Sequence, residues 1–155
     1  MTEQQDSAGV RFPPPFIYII AFIIGLLLDR QWGLAIGAET VRPVLAWLFF
    51  AAWVALTASS FLLFRRNRTS IIPARAASAL VIAGPYRLTR NPMYVGMALL
   101  TIAAGLWADT WWPILLLAPV LLIVQQFVIA REERYLRRRF GADYEAYTRQ
   151  VRRWL

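Results

Sequence analysis

Apolar residues in this chain fall in four long blocks, divided by breaks rich in arginine, proline or tryptophan. The first runs from Phe16 to Leu28 behind the stiff lead-in Pro13-Pro14-Pro15. At about 1.5 Å per residue that block is shorter than a hydrocarbon core of about 30 Å. The predicted span therefore extends past Asp29 and Arg30 to Ile36, over residues 14–36. The second, Val44 to Phe64, is long enough by itself and sets Ala51, Ala55 and Ser59 four apart, a spacing that lets helices approach closely. A third span is predicted from Pro92 to Trp112 and a fourth from Pro113 to Ala130, with a bend at Pro119. Only a tight hairpin can join these two. Trp107, Trp111 and Trp112 at that hairpin suit an interfacial belt, with rings in the acyl boundary and N–H groups in water.

Beyond Ala130 the spacing changes. Leu136, Phe140, Tyr144, Tyr147, Val151 and Trp154 recur at three or four positions, as one face of a helix requires. A C-terminal amphipathic helical tail is predicted, interrupted at Gly141, with Asp143 capping a second short helix. Met1 to Arg11 are polar, and no small-residue cleavage site follows the first apolar block, so no signal peptide is predicted. The expected architecture is all-α: a polytopic membrane protein of about four transmembrane helices plus this tail, one domain over residues 1–155.

Composition supports the membrane, with 59% hydrophobic and 17% charged residues. A formal net charge of +8 would suit nucleic acid if the arginines formed a stripe. Instead they flank apolar blocks. Arg65, Arg66, Arg68, Arg75, Arg87 and Arg90 lie between spans two and three, and Arg131, Arg134, Arg137, Arg138, Arg139, Arg149, Arg152 and Arg153 follow span four. The turn between spans three and four carries only Asp109. Positive charge gathers on the cytoplasmic side, so both termini are expected there and no nucleic-acid partner is expected. All 17 basic residues are arginine, a bias of GC-rich bacterial genomes, and a bacterial inner membrane is the expected location.

The chain has no Cys, His or Lys. A thiolate nucleophile, an imidazole base, a Schiff-base lysine and a Cys/His metal site are thereby excluded. Whatever chemistry occurs runs on Asp, Glu, Tyr, Ser, Thr and Arg, and no metal site is expected.

Two segments carry candidate chemistry. The first, Gly84-Pro85-Tyr86-Arg87-Leu88-Thr89-Arg90-Asn91-Pro92-Met93-Tyr94-Val95-Gly96, combines prolines and glycines that fix an irregular backbone with polar groups able to hold a ligand. Taken residue by residue, an interfacial anchor is the favoured explanation, with arginines on phosphates and tyrosines among headgroups. The second runs from Arg131 to Gly141. Glu133 and Arg137, four apart, would form an exposed pair worth about 0.3–0.5 kcal/mol. Yet Glu132 and Glu133 sit where anionic headgroups would repel them, which favours a specific partner. Gln125 and Gln126 point to the same region, and interhelical hydrogen bonding accounts for them.

The order Gly-Pro-Tyr-Arg, Arg-Asn-Pro-Met-Tyr-x-Gly, one helical hairpin, then Glu-Glu-x-x-Leu-x-x-x-Phe-Gly-x-x-Tyr-x-x-Tyr resembles the isoprenylcysteine carboxyl methyltransferase and phospholipid methyltransferase superfamily. The resemblance is strongest from Ala83 to Leu155. It implies an enzyme that binds S-adenosyl-L-methionine over residues 83–155 and methylates a lipophilic or membrane-embedded acceptor that enters from the bilayer. Carried onto this chain, Tyr86, Arg90, Asn91, Pro92, Tyr94 and Gly96 would line the cofactor pocket from one side. Glu132, Glu133, Leu136, Phe140, Tyr144 and Tyr147 would close it from the other. Asn91 stands where the isoprenylcysteine branch has His, which counts against that substrate branch.

Methyl transfer from a sulfonium is an in-line displacement that needs alignment more than covalent catalysis. Under that resemblance Arg90 and Glu132 are the expected catalytic residues. Arg90 would fork onto a carboxylate, and Glu132 would hold cofactor hydroxyls or take a proton from an amine or thiol acceptor, a role Glu133 could share. A carboxylate acceptor needs no base. The acceptor class stays open, and the oligomeric state has no signature in the sequence. A different class, a non-catalytic four-helix subunit binding anionic lipid through its arginines, would show no cofactor affinity. A transporter is disfavoured, because Asp29, Arg30 and Asp109 lie only near span ends.

Overall fold

A computed structural model describes residues 13–67 and 79–155. The polar segment 1–11 and the loop arginines Arg68 and Arg75 lie outside the described residues. The chain is an all-helical membrane protein. Three helical stretches are long and apolar enough to cross a bilayer: α1 (Pro14–Trp32), α2 (Val41–Arg66) and a continuous run from Trp112 to Phe140. A fourth apolar helix, α3 (Pro92–Trp107), has 16 residues. At about 1.5 Å per residue it reaches roughly 24 Å, under the hydrocarbon thickness. The expected span to Trp112 is thus shortened by five residues. It ends where Asp109 takes a positive φ of 55° and the chain turns back.

The run from Trp112 is built of α4 (Trp112–Leu115), α5 (Leu117–Ile123), a π-helical stretch (Val124–Ile129) and α6 (Ala130–Phe140), followed by α7 (Ala142–Gln150). Pro119 has no N–H to give, and its ring crowds the carbonyl four residues back. The interruption accordingly falls at Leu116, three residues before the proline where the bend was expected. The first span also ends early, at Trp32 rather than Ile36. There the carboxylate of Asp29, in the last turn of α1, accepts a 3.0 Å hydrogen bond from the Leu34 N–H just past the helix end, so the charged side chain closes the helix.

The structure divides into two compact units, Leu56–Met93 with Gln125–Leu155, and Pro13–Ala55 with Tyr94–Val124. In the second unit α1 packs on α4 and α5. A Cβ on Gly25 would lie 2.8 Å from the ring and the backbone nitrogen of Pro113, so only glycine permits this approach. Asp109 fastens the loop after α1: its carboxylate accepts from the N–H groups of Ile36 (3.2 Å) and Gly37 (2.9 Å) and pairs with Arg42 at 3.3 Å. Arg42 donates onward to the Leu106 carbonyl, satisfying an end of α3 that has no intrahelical partner. Trp47, Phe50 and Trp107 stack with ring centroids 5.2–5.6 Å apart beside this turn.

Large apolar side chains face outward along the spans, among them Ile20 at 48%, Leu48 at 60% and Leu122 at 59% exposed, which suits a lipid solvent rather than water. The small residues Ala51 and Ala55 are exposed too. The close helix approach expected along them is not made. In α2 the buried positions are Ala46 and Ser60.

Candidate functional site

Both motif segments begin in the first unit. Val81 to Ala83 run without helical structure into a 3₁₀ turn, Gly84–Arg87, because Gly84 adopts φ +57°, a left-handed conformation that side chains with a Cβ resist. Tyr86 is buried there, with its ring edge-on to Phe64 at 5.7 Å. Thr89 is fully buried, and its hydroxyl accepts from the Asn91 N–H at 3.1 Å, forming the turn that delivers Pro92 to the start of α3. Pro92 is buried at that position.

The second segment turns at Gly141, whose φ of +51° separates α6 from α7. Asp143 lies inside the first turn of α7 and does not cap it; the capping position belongs to Gly141. Tyr144 and Tyr147 are buried on α7 with rings 6.1 Å apart. The Tyr147 hydroxyl donates a 2.6 Å hydrogen bond to the Tyr86 carbonyl, joining the two motifs directly.

After Gln150 the expected helical face stops. Val151 turns extended at φ −124°, ψ 132°, and residues 151–155 form a strap along the first motif. The Arg90 N–H donates to the Arg152 carbonyl at 2.9 Å. The Thr89 hydroxyl (3.0 Å) and the Asn91 amide (2.9 Å) both donate to the Arg153 carbonyl. The Trp154 indole N–H donates to Gln125 in the π-helical stretch at 2.7 Å. Gln126 is exposed.

At the centre lies Glu133, whose side chain is 7% exposed. Arg153 grips it with two parallel bonds, Nε to Oε1 at 3.0 Å and Nη2 to Oε2 at 2.7 Å, the fork geometry that makes arginine–carboxylate pairs strong. Arg90 adds Nη2 at 3.3 Å from Oε1, and its side chain is only 11% exposed. The expected surface pair of Glu133 with Arg137 is not made: Arg137 is exposed, and Glu133 turns inward to partners 43 and 20 positions away. Two cations on one carboxylate pair the buried Glu133 charge, while Arg153 itself keeps 36% of its side chain exposed. Both oxygens of Glu133 are thus occupied by guanidinium groups. The Nε of Arg90 remains buried without a hydrogen-bond partner among the described residues.

Burial, above all, pushes the phenols of Tyr86 and Tyr147 up and that of Tyr144 up to about 12, with the Glu133 charge adding to the effect on Tyr144. The hydrogen bond to Glu133 raises Arg153 further. The site therefore presents neutral aromatic rings beside fixed positive charge. Glu132 is half-buried on α6, and its charge bears on Tyr86. Leu136 and Phe140 are also half-buried on that helix. A cleft of about 790 Å³ opens in the same unit, lined by Leu80, Ile82, Ala83, Arg87, Asp143, Ala146, Tyr147, Gln150 and Val151. Of the expected site residues only Tyr147 borders it. Tyr94 and Gly96, one turn along α3, belong to the second unit, where the Tyr94 carbonyl accepts from the Tyr18 hydroxyl at 3.3 Å.

The sequence expectations missed Thr89, Arg153 and Trp154. Nothing in local spacing singles out Arg153 from Arg152, and together the tail arginines carry only a topology signal. Arg87 had been placed in the motif but given no role.

Comparison with known proteins gives two matches. The profile of a family described as phospholipid methyltransferase matches residues 32–143. An uncharacterized protein of Haemophilus influenzae (strain ATCC 51907 / DSM 11121 / KW20 / Rd) is 41% identical over 63 residues, which are 41% of this chain and the whole of that protein. No solved structure matches.

Proposed function

From the phospholipid methyltransferase family, to which this chain belongs, we infer a membrane enzyme that transfers a methyl group from S-adenosyl-L-methionine to a lipophilic acceptor. The observation that carries this reading is the convergence of both motifs on Arg90. This buried guanidinium, anchored through one nitrogen, keeps Nε unpartnered beside neutral aromatic rings.

The residues present fit that cofactor. A free edge on Arg90 suits its carboxylate, because a planar guanidinium matches carboxylate geometry. Tyr147, which borders the cleft, is assigned to the sulfonium, an attraction of about 0.5–2 kcal/mol, with Tyr86 and Tyr144 buried behind it. Glu132 is the acidic side chain of the site not enclosed by the Arg90–Glu133–Arg153 cluster, and it is assigned to cofactor hydroxyls or to proton acceptance from an amine or thiol acceptor. Asn91 and Pro92 shape the floor, and Leu136 and Phe140 the apolar wall. When bound, the cofactor supplies an activated methyl group on sulfur. The chain's own part is to orient the reacting partners and exclude water, and such alignment contributes roughly 7–11 kcal/mol in favourable cases.

The proposed setting is a bacterial inner membrane with both termini cytoplasmic. Support comes from the positions of charge: Arg65, Arg66, Arg87 and the α6 arginines all lie in the first unit, whereas the α3–α4 turn carries only Asp109.

The test is calorimetric titration of detergent-purified protein with S-adenosylmethionine and S-adenosylhomocysteine. Binding of both is expected, and a folded sample that binds neither overturns the enzyme reading. Transfer of labelled methyl to lipid amine, thiol and carboxylate acceptors in parallel identifies the acceptor class. Arg90→Ala is expected to weaken cofactor binding, and Glu132→Ala to remove turnover.

A further inference from the structure

We propose that Arg153 is a positioning residue: by occupying both oxygens of Glu133, it keeps Arg90 from closing a full fork on that carboxylate and so leaves guanidinium donors of Arg90 uncommitted for a ligand carboxylate. The inference rests on the methyltransferase reading and concerns a residue outside both motifs.

The distances are unequal in the direction this requires. Arg153 makes two bonds, at 3.0 and 2.7 Å, and Arg90 makes one contact at 3.3 Å with Nε left over. A buried carboxylate facing one arginine is expected to take the bidentate geometry, which uses both nitrogens of one guanidinium edge. Arg153 pre-empts that geometry. Glu133 then tethers Arg90 through Nη2 without consuming its other donors. Arg153 reaches its place through backbone contacts: its carbonyl accepts from Thr89 and Asn91, and the preceding carbonyl accepts from the Arg90 N–H. The strap thus reads the position of Arg90 through the main chain and sets its charge environment through a side chain. Trp154 on Gln125 fixes the neighbouring position. The chemical class of ligand is a carboxylate, supplied in the proposed enzyme by the methionine moiety of the cofactor.

The test compares affinities for S-adenosylmethionine and for its decarboxylated analogue. Arg153→Ala is expected to weaken binding of S-adenosylmethionine on the order of tenfold, the size of one charge-assisted hydrogen bond. The decarboxylated analogue should bind this variant and the parent alike. In Glu133→Gln/Arg153→Ala, Arg90 has no carboxylate to close upon, so affinity should return toward the parent value. Unchanged affinity in Arg153→Ala overturns the proposal, as does equal weakening in the single and double variants, which would mark a general structural role. Should Arg153→Ala fail to fold, Arg153→Lys decides: it keeps the charge but not the fork, and unchanged affinity counts against the proposal. Parent protein that binds no cofactor removes the enzyme reading itself, whereas parent binding with an indifferent Arg153→Ala removes only this inference.

Discussion

Tyr86, Tyr144 and Tyr147 show how burial sets chemistry at single residues. Their phenols are pushed up, mainly by loss of solvent, so they remain neutral rings across the physiological range. The sign for stability follows from linkage. A phenol raised in the folded state favours folding fully below its unfolded value of 10.0, and that contribution disappears as pH rises toward the folded value, about 12 for Tyr144. Thermal midpoints in detergent are expected to hold level below pH 10.0 and to fall between there and about 12. Tyr144→Phe should flatten part of that fall. Tyr147→Phe has a different cost, because it leaves the Tyr86 carbonyl without its 2.6 Å donor. The expected loss is about 1–3 kcal/mol, read by unfolding of the purified protein. Residue identity was legible in the sequence for all three tyrosines, since the motif spacing places them. Glu133 was not so legible: local spacing offered Arg137, and only the folded chain shows that Arg90 and Arg153 take its place. An ion pair between residues 43 or 20 apart leaves no periodic trace.

Helices in this chain were readable where hydropathy decides them and misread where a polar side chain ends them. The second span and the α3–α4 hairpin follow from apolar block length alone. Asp29 and Asp109, taken as charges near span ends, are instead the acceptors that close α1 and fasten the loop after it. Helical spacing also ran on through Val151 and Trp154, although the backbone there is extended. A strap can keep apolar residues at helix-like intervals by chance, and periodicity cannot see its hydrogen bonds. The tightest element contact, Gly25 on Pro113, had no signal either, for a lone glycine inside an apolar block is common in membrane helices. Gly25→Leu is expected to destabilise the second unit by about 1–3 kcal/mol through overpacking, whereas Ile23→Leu on the exposed face of α1 should change little. Thermal unfolding of the two variants side by side checks this.

For the molecule as a whole, the outward-facing Ile, Leu and Trp side chains require a bilayer or detergent, and extraction with alkaline carbonate should leave the protein in the membrane fraction. Reporter fusions at Asn67 and Ala108 test the orientation. The arginine-rich side predicts a cytoplasmic signal at Asn67 and an external one at Ala108, and two signals on one side would refute the four-pass topology. The 16-residue length of α3 bears on the same scale. A helix of roughly 24 Å beside a bilayer of about 30 Å draws the membrane thinner around it or leaves one end below the headgroups.

The shared carboxylate of Glu133 has a consequence for descent. Glu133, Arg90 and Arg153 form one coupled unit, because losing either arginine uncovers a buried carboxylate, and losing the acid leaves the buried Arg90 cation unpaired beside Arg153. Lineages that keep Glu133 should keep both arginines, and those that replace the acid should drop Arg153 first, the member that stands beyond the stretch matched by the family.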